Sequence, residues 1–565
     1  MITHPFVSGG IKEDIWEITV NTEATTSGAK TTGIPINLYS QPGITMKVDW
    51  GDGTESVLTS ASYSSASDSA PSVHEYATAG TYIVQMKSTK WKDAYIEVLG
   101  HTYTGVLSHI AGFRSTLVEV GQLPRCKGVL YRASSTSSPF RDIHRFRYCF
   151  YGCSNLTSIP AGLFDNNPAV TDFSSCFREC SSLASIPAGL FDNNPKVTNF
   201  ASCFQRCSNL TSIPNGLFDN NPAVMDFNSC FQGCSNLTSI PNGLFDNNPK
   251  VTNFSSCFYR CFNLTSIPNG LFDNNPAVKD FESCFSGCSS LTSIPAGLFD
   301  NNPKVANFSS CFSECSNITS IPNGLFDNNP VVTNFSFCFL ACSNLASIPA
   351  GLFDNNPKVT DFRSCFCKCS NLTSIPNGLF DNNPDVTSFN CCFWRCSKLQ
   401  SIPSGLFHNN SKVTDFHMTF FACNLSDIPV DIFINCTAVT DMSGTFGNNP
   451  ITSVPSGLFS SQTLVTTLGN NTNTSNGIFS AGSRGVIAID ENLFAHMLNL
   501  TQARFAFQGH YGFSIRFRAT ELTDITAFCD KNTEHPVTVY VPAGSATAKA
   551  FHDIAGATGI TVVEE

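Results

Sequence analysis

The sequence is poor in charged residues, and its charges are not clustered. Asp, Glu, Lys and Arg make up 13% of 565 residues, the net charge is −11, and no block of Lys and Arg occurs. Nucleic-acid binding requires clustered basic side chains, so we expect no nucleic-acid partner.

Long apolar runs are missing as well. No stretch approaches the ~20 apolar residues of a membrane span, so we expect no membrane insertion. The first residues, MITHPFVSGGIKEDIWEI, lack a basic segment followed by an apolar run, so we expect no secretory signal peptide. We also find no arrangement typical of catalysis, and therefore expect a protein that is not an enzyme and has no cofactor.

What the sequence has instead is an internal repeat of 27 residues. The unit from Cys203 to Ser229 reads CFQRCSNLTSIPNGLFDNNPAVMDFNS. Its first cysteine recurs every 27 residues, at Cys149, Cys176, Cys203, Cys230, Cys257, Cys284, Cys311, Cys338, Cys365 and Cys392. Such a period indicates stacked coils, because one unit cannot bury its own apolar face. We predict a repeat solenoid of 27-residue coils, with short parallel strands and helical turns, preceded by an N-terminal β-sandwich.

The cysteines are placed as core residues. Of the 26 cysteines, twenty form Cys-x-x-x-Cys pairs, from Cys149/Cys153 through Cys392/Cys396, at the same two positions of successive units. A small, weakly polar side chain suits a buried column of identical neighbours. We expect a reduced cysteine ladder, with a disulfide ladder as the alternative. Zinc is disfavoured because the units contain no regular histidine.

Within a coil, apolar spacing and prolines predict the local structure. Leu156-x-x-Ile159 is the expected strand, and Pro160 ends it because proline gives no ladder hydrogen bond. Residues 162–167 fit one helical turn, and the stretch ending at Phe173 fits a second extended piece.

Before the repeats, the sequence predicts a small β domain. Asp49-Trp50-Gly51-Asp52-Gly53-Thr54 predicts a hairpin turn, and H-x-Y and GTYxV follow at residues 74–76 and 80–84. Over about residues 40–86 this pattern resembles the polycystic-kidney-disease (PKD) domain, an immunoglobulin-like sandwich of spacer or adhesion modules. We expect Asp49 and Asp52 to shape the turn, with cation binding as the alternative. We assign residues 1–96 to a PKD-like β-sandwich and residues 97–148 to an N-terminal cap and linker.

The repeats also resemble a known family. The patterns F-x-x-C-S-N-L-T-S-I-P and V-T-N-F-S-S-C-F, over about residues 149–511, resemble bacterial leucine-rich repeats of the BspA-like type. YVPAGS at residues 540–545 resembles the closing segment of such proteins, so we assign residues 512–565 to a C-terminal cap. Gut-bacterial surface proteins, and structural proteins of the phages that infect these bacteria, combine the same two modules. The resemblance implies adhesion or receptor recognition without catalysis.

Comparison of the copies indicates where a binding site lies. The two residues between Phe and the second cysteine, here called the variable pair, differ in every copy, and the residue two before the first cysteine also varies. Because core positions cannot vary without holes or clashes, we expect an exposed binding ridge. Its candidates are Tyr151, Arg178, Gln205, Arg206, Tyr259, Arg260, Arg363, Lys368, Trp394 and Arg395. Tyr, Trp and Arg dominate binding hot spots. Neutral drift at solvent positions is the alternative.

A second column is acidic. It contains Asp165, Asp192, Asp219, Asp246 and Asp273, and continues to Asp381. A Ca²⁺ column is one interpretation, since hard cations favour carboxylate and amide oxygens. We expect instead that each Asp accepts backbone N–H bonds in its turn, while the asparagines form ladders between coils.

Two functional classes remain. The first is a phage virion protein, a tail or surface appendage made in the host cytoplasm, which binds a host surface protein or glycan or other virion proteins. The second is a bacterial cell-surface leucine-rich-repeat adhesin.

Overall fold

A computed structural model describes most of the chain from residue 146 onward and the strands before it. The described residues are 14–21, 33–39, 45–59, 72–75, 81–88, 95–98, 117–120, 128–129, 146–469, 477–480, 485–532 and 534–565. They belong to two compact units, Met1–Leu264 (unit 1) and Thr265–Glu565 (unit 2).

Unit 1 begins with two β-sheets. Their strands are β1 (Asp14–Asn21), β2 (Gly33–Tyr39), β3 (Thr45–Asp49), β4 (Glu55–Thr59), β5 (Ser72–Glu75), β6 (Thr81–Ser88), β7 (Tyr95–Val98), β8 (Leu117–Val120) and β9 (Gly128–Val129). One sheet has the order β4-β3-β6-β1-β8 and is antiparallel; the other has the order β5-β2-β7-β9, and only β7 and β9 are parallel. Strands β8 and β9 lie within residues 97–148, the segment that we predicted to be an N-terminal cap and linker.

The turn between β3 and β4 has the structural role expected of its aspartates. The Asp49 carboxylate accepts a hydrogen bond from the Gly51 N–H at 2.9 Å, and the Asp52 carboxylate accepts one from the Thr54 N–H at 3.0 Å. The Trp50 side chain is buried and its indole N–H donates to the Ser56 hydroxyl at 2.8 Å. Tyr76 and Gly80 of the PKD-like pattern lie outside the described residues.

Successive coils are joined by backbone hydrogen bonds from alternate residues. In unit 1, the N–H groups of Phe173, Ser175, Phe177 and Glu179 donate to carbonyls of the next coil at 2.7–2.9 Å. Ser175 and Glu179 have φ of 57° and 64°, so every second one of these donors is left-handed. In unit 2 the same pattern recurs, and isolated parallel bridges run from Asp280↔Asn307 to Asp441↔Thr467.

The position of this ladder corrects the expected coil outline. Parallel bridges recur at the residue before Phe173 and its equivalents. Leu156–Ile159 forms no strand, and few equivalents of this segment form a bridge, as at Ser320↔Ser347. In that segment the inter-coil bonds are few and long, such as Thr238 N–H to the Thr211 carbonyl at 3.3 Å, and the following proline has no N–H to extend them.

The expected helical turn at residues 162–167 is a pair of tighter turns. The N–H groups of Asp165 and Asn167 donate to the carbonyls three residues earlier, at 3.1 and 2.9 Å. Gly162 has φ of 69°, a left-handed conformation that prevents a regular α-helical turn from starting there.

Phenylalanines and cysteines fill the coils. Equivalent rings stack almost parallel, as in Phe200–Phe227 at 5.8 Å and Phe308–Phe335 at 5.7 Å. The repeat cysteines from Cys149 to Cys396 are buried and free, and their burial agrees with the expected core ladder. Burial raises the pKa of the Cys342 thiol to about 12.

A buried asparagine ladder runs beside the rings. In unit 1 the Asn221 amide donates to the Phe191 and Asn194 carbonyls, both at 3.0 Å. In unit 2 the equivalent Asn329 makes the same two contacts with the preceding coil. The predicted asparagine ladder is therefore confirmed, and the second Asn of each Phe-Asp-Asn-Asn segment forms it.

Unit 2 ends in a different structure. Its elements are β10 (Gly485–Val486), β11 (His510–Tyr511), β12 (Ser514–Arg516), β13 (Val537–Val541), α1 (Ala546–Thr558) and β14 (Ile560–Glu564). Strands β12, β13 and β14 form a parallel sheet in that order. Ser545 caps α1 by accepting from the Ala548 N–H. No helix among the described residues has the length and apolarity of a membrane span.

Candidate functional site

The variable pair does not have the uniform exposure that the sequence predicted. Its first residue is buried or half-buried: Gln205 is 8% exposed and Cys367 is 3% exposed. Gln205 points along the stack, where its amide N–H donates to the Gln232 side chain at 2.5 Å. The second residue of the variable pair is the more accessible one. Its exposed members include Arg206, Arg260, Lys368 and Arg395.

The backbone explains part of the variation at the second position. Arg206, Arg260, Lys368 and Arg395 have φ between 58° and 61°, so this position is left-handed. Glycine adopts this conformation without strain and occupies the position in three coils, at Gly152, Gly233 and Gly287.

The third variable position is also mixed. Arg363 is exposed and forms an ion pair with Asp361 at 2.7 Å. The equivalent Ser174, Ser309 and Ser336 are buried. The expectation of a uniformly exposed position is therefore wrong, because these three serines are buried in the coils while Arg363 is exposed.

In unit 1, the charged residues of the variable pair neutralise one another. Arg178 lies over the Tyr151 ring at 5.6 Å. Glu179 contacts Arg178 at 3.6 Å and Arg206, from the next coil, at 3.2 Å. Tyr259 and Arg260 form a separate pair, with the guanidinium 5.1 Å from the ring centre.

In unit 2, the variable pairs of two adjacent coils converge on one indole. The Arg395 guanidinium carbon lies 4.4 Å from the centre of the half-buried Trp394 ring. The Lys368 ammonium of the preceding coil lies 5.3 Å from the same centre. Neither cation forms an ion pair with a carboxylate in the part of unit 2 that the structure describes. The structure thus brings together three of the predicted residues into one cationic and aromatic group.

The acidic column lies at the surface of the coils. Asp192, Asp219, Asp246 and Asp273 are exposed, and Asp165 is half-buried. The carboxylates lie over the glycine three residues earlier, so that a Cβ added to Gly189 would lie 2.9 Å from an Asp192 oxygen. Within the described ranges, no three or more His, Cys, Asp or Glu side chains are arranged to hold a metal ion.

A second column of Asp and Asn escaped the sequence analysis. Its members in unit 1 are Asp172, Asn199, Asp226 and Asn253. The side-chain oxygen accepts from the N–H two residues later, for example Asp226 from Asn228 at 2.8 Å. Burial, and secondarily the charge of Asp172, raise the pKa of Asp226. The intervening Asn separates the carboxylates, and the recurrence of Asp or Asn directly before Phe every 27 residues was the signal that could have revealed this column.

These features define a class of repeat protein: short coils joined by parallel bridges, with buried columns of Phe, Cys and Asn and a variable edge. The family described as "Mycoplasma protein of unknown function, DUF285" matches residues 144–270, 225–350 and 333–454, which together exceed half of the chain. The chain belongs to this family of BspA-like repeat proteins.

Other comparisons add little. The leucine-rich repeat domain of APL1B is similar at 11% identity, covering 72% of this chain and 84% of that one, with a TM-score of 0.27. A similarity this weak does not define the fold further. No curated protein matches the sequence. The PKD-like resemblance of the N-terminal strands is not confirmed.

Proposed function

We propose that this protein is a non-catalytic binding protein that contacts its partner through the variable pairs. The group of Lys368, Trp394 and Arg395 carries this proposal, because it places an aromatic ring and two unpaired cations at positions that change in every copy. Large aromatic residues and arginines supply most of the energy at binding hot spots. The surrounding core positions are nearly invariant, so the coils serve as a rigid support.

The most specific form of this proposal is a phage virion protein, in a tail or surface appendage, that binds a host surface protein or glycan. In it, the coils form a leucine-rich-repeat-like solenoid and the N-terminal strands a PKD-like spacer. The many free, buried cysteines favour assembly in a reducing cytoplasm. The alternative is a bacterial surface adhesin.

The binding role is tested with the labelled full chain and a panel of whole bacterial isolates. We expect binding to some isolates and its loss in Trp394→Ala. Lys398→Ala is the matched control, because it removes an exposed cation of the same coil outside the variable pair. Treating the cells with protease or with periodate separates protein receptors from glycan receptors. Binding that Trp394→Ala leaves unchanged would contradict the proposal.

The location is tested separately. Mass spectrometry of purified phage particles should detect the chain if it is a virion protein. Its presence in washed bacterial envelopes and absence from particles would favour the adhesin.

A further inference from the structure

We propose that Lys368, Trp394 and Arg395 bind the carboxylate of an acidic glycan. This inference rests on the proposed binding function and specifies the ligand of the same group of residues.

The first argument is a comparison of equivalent positions in the two units. In unit 1, the second residues of adjacent variable pairs are Glu179 and Arg206, which form an ion pair at 3.2 Å. In unit 2, the same two positions hold Lys368 and Arg395, which are both cations and contact one ring. Like charges this close repel unless an anion lies between or above them.

The second argument is the chemistry of the two cations. A guanidinium presents parallel N–H donors that match a carboxylate, and an ammonium adds a point charge. Arg363, the other nearby arginine, is already paired with Asp361 at 2.7 Å. Lys368 and Arg395 therefore remain the pair available to an external anion.

The surroundings favour a sugar over a protein segment. Beside the cations run neutral columns, in which the Asn371 amide donates to Asn344 at 3.2 Å and the Ser397 hydroxyl donates to the Ser370 carbonyl at 3.4 Å. Such amides and hydroxyls suit sugar hydroxyl groups. The exposed large apolar side chains in the described part of unit 2 lie elsewhere, at Val430, Ile434, Leu464 and Leu498. A protein partner would be expected to contact apolar side chains of this kind.

The test measures binding of the full chain to four probes by calorimetry. The carboxylated probes are oligogalacturonate and sialyllactose, which distinguish a uronate from a sialate. The matched neutral probe is the methyl ester of the same oligogalacturonate, which keeps the sugar backbone and removes the charge. A poly-glutamate peptide represents an acidic protein segment. We expect binding to a carboxylated sugar, and at least about tenfold weaker binding to the ester.

The variant Arg395→Glu should reduce binding of the carboxylated sugar by at least about tenfold, because it pairs Lys368 internally. It is expected to fold, since Glu179 and Glu314 occupy the equivalent position with φ of 64° and 60°, close to the 59° of Arg395. Lys398→Glu is the control: it reverses the charge of an exposed lysine of the same coil that lies outside the variable pair. It should leave binding unchanged.

Several results would overturn the inference. Equal binding of acid and ester would show that charge is not recognised, and equal or tighter binding of poly-glutamate would indicate a protein partner. If neither carboxylated sugar binds while cell binding still depends on Trp394, the inference fails and the proposed function stands. If cell binding does not depend on Trp394, the proposed function itself fails.

Discussion

The buried asparagine ladder makes a strong prediction about stability and pH. Asn329 is fully buried, and its amide N–H groups donate to the Phe299 and Asn302 carbonyls, both at 3.0 Å. Its side-chain oxygen has no hydrogen-bond partner, so the N–H groups provide its polar contacts. Asn329→Asp keeps the shape and replaces the donor group by an oxygen that faces two carbonyls.

The magnitude follows from two terms. Loss of two hydrogen bonds removes about 2 kcal/mol from the free energy of unfolding, and a protonated carboxyl recovers part of this by donating to one carbonyl. Burial without a donor raises the pKa of Asp in the folded state. Each pH unit above the unfolded pKa of about 3.9 then removes about 1.4 kcal/mol, until the folded pKa is reached. We expect Asn329→Asp to lower the free energy of unfolding by about 1–2 kcal/mol at pH 4, and by about 4 kcal/mol more than this at pH 7.

Urea denaturation at the two pH values, followed by circular dichroism and referred to wild type at each pH, measures this difference. Asn328→Asp is the matched control, because Asn328 is the adjacent residue and is exposed. Its effect should stay below about 0.5 kcal/mol at both pH values. An equal loss at pH 4 and pH 7, or a loss no larger than that of the control, would refute the role of the ladder.

Three further predictions concern the core and the turns. Burial raises the pKa of Cys342 to about 12, so the contribution of its thiol to stability is complete below the unfolded pKa of about 8.5 and is lost as the pH rises toward 12. The Tm under reducing conditions should therefore fall between pH 7.5 and pH 9.5. A constant Tm would contradict thiol burial. Phe308→Ala should lower the free energy of unfolding by about 3–5 kcal/mol, because its buried ring stacks on a neighbour in the next coil; a loss under 1 kcal/mol in urea denaturation would argue against the stacking. Gly405→Ala should lower the free energy of unfolding by about 1 kcal/mol, because Gly405 has φ of 66°. Gly378→Ala should lower it more, because its added Cβ would also lie 2.9 Å from an Asp381 carboxylate oxygen. Equal urea midpoints for the two variants would refute that contact.

The sequence predicted the buried columns because it repeats them. Cys311 and Asn329 recur at a fixed interval, and stacking places each copy beside the next, so any residue that packs well against itself becomes a ladder. Periodicity could not show how the chain turns within a coil. Leu156–Ile159 has the spacing of a strand, yet most bridges form beside Phe173 and its equivalents, in a segment whose N–H groups donate to the next coil and whose Ser175 and Glu179 are left-handed.

The exposure of the variable positions was predicted only in part for the same reason. Variation among copies correctly indicated Lys368, Trp394 and Arg395 as surface-accessible positions, and it wrongly treated Gln205 and Cys367 as equally exposed. Left-handed φ at the second residue of the pair turns that residue outward and the first one along the stack, and no single copy of the repeat reveals this.

What the sequence alone determined is therefore the class of protein and its core: the period, the buried cysteines, the asparagine ladder and the turn that holds Asp49 and Asp52. These depend on local chemistry that is copied from unit to unit. What only the tertiary structure decided is which residues from different coils meet, such as Glu179 with Arg206 and Lys368 with Trp394. Contacts of that kind join residues about one repeat apart, and their geometry is set by the backbone between coils.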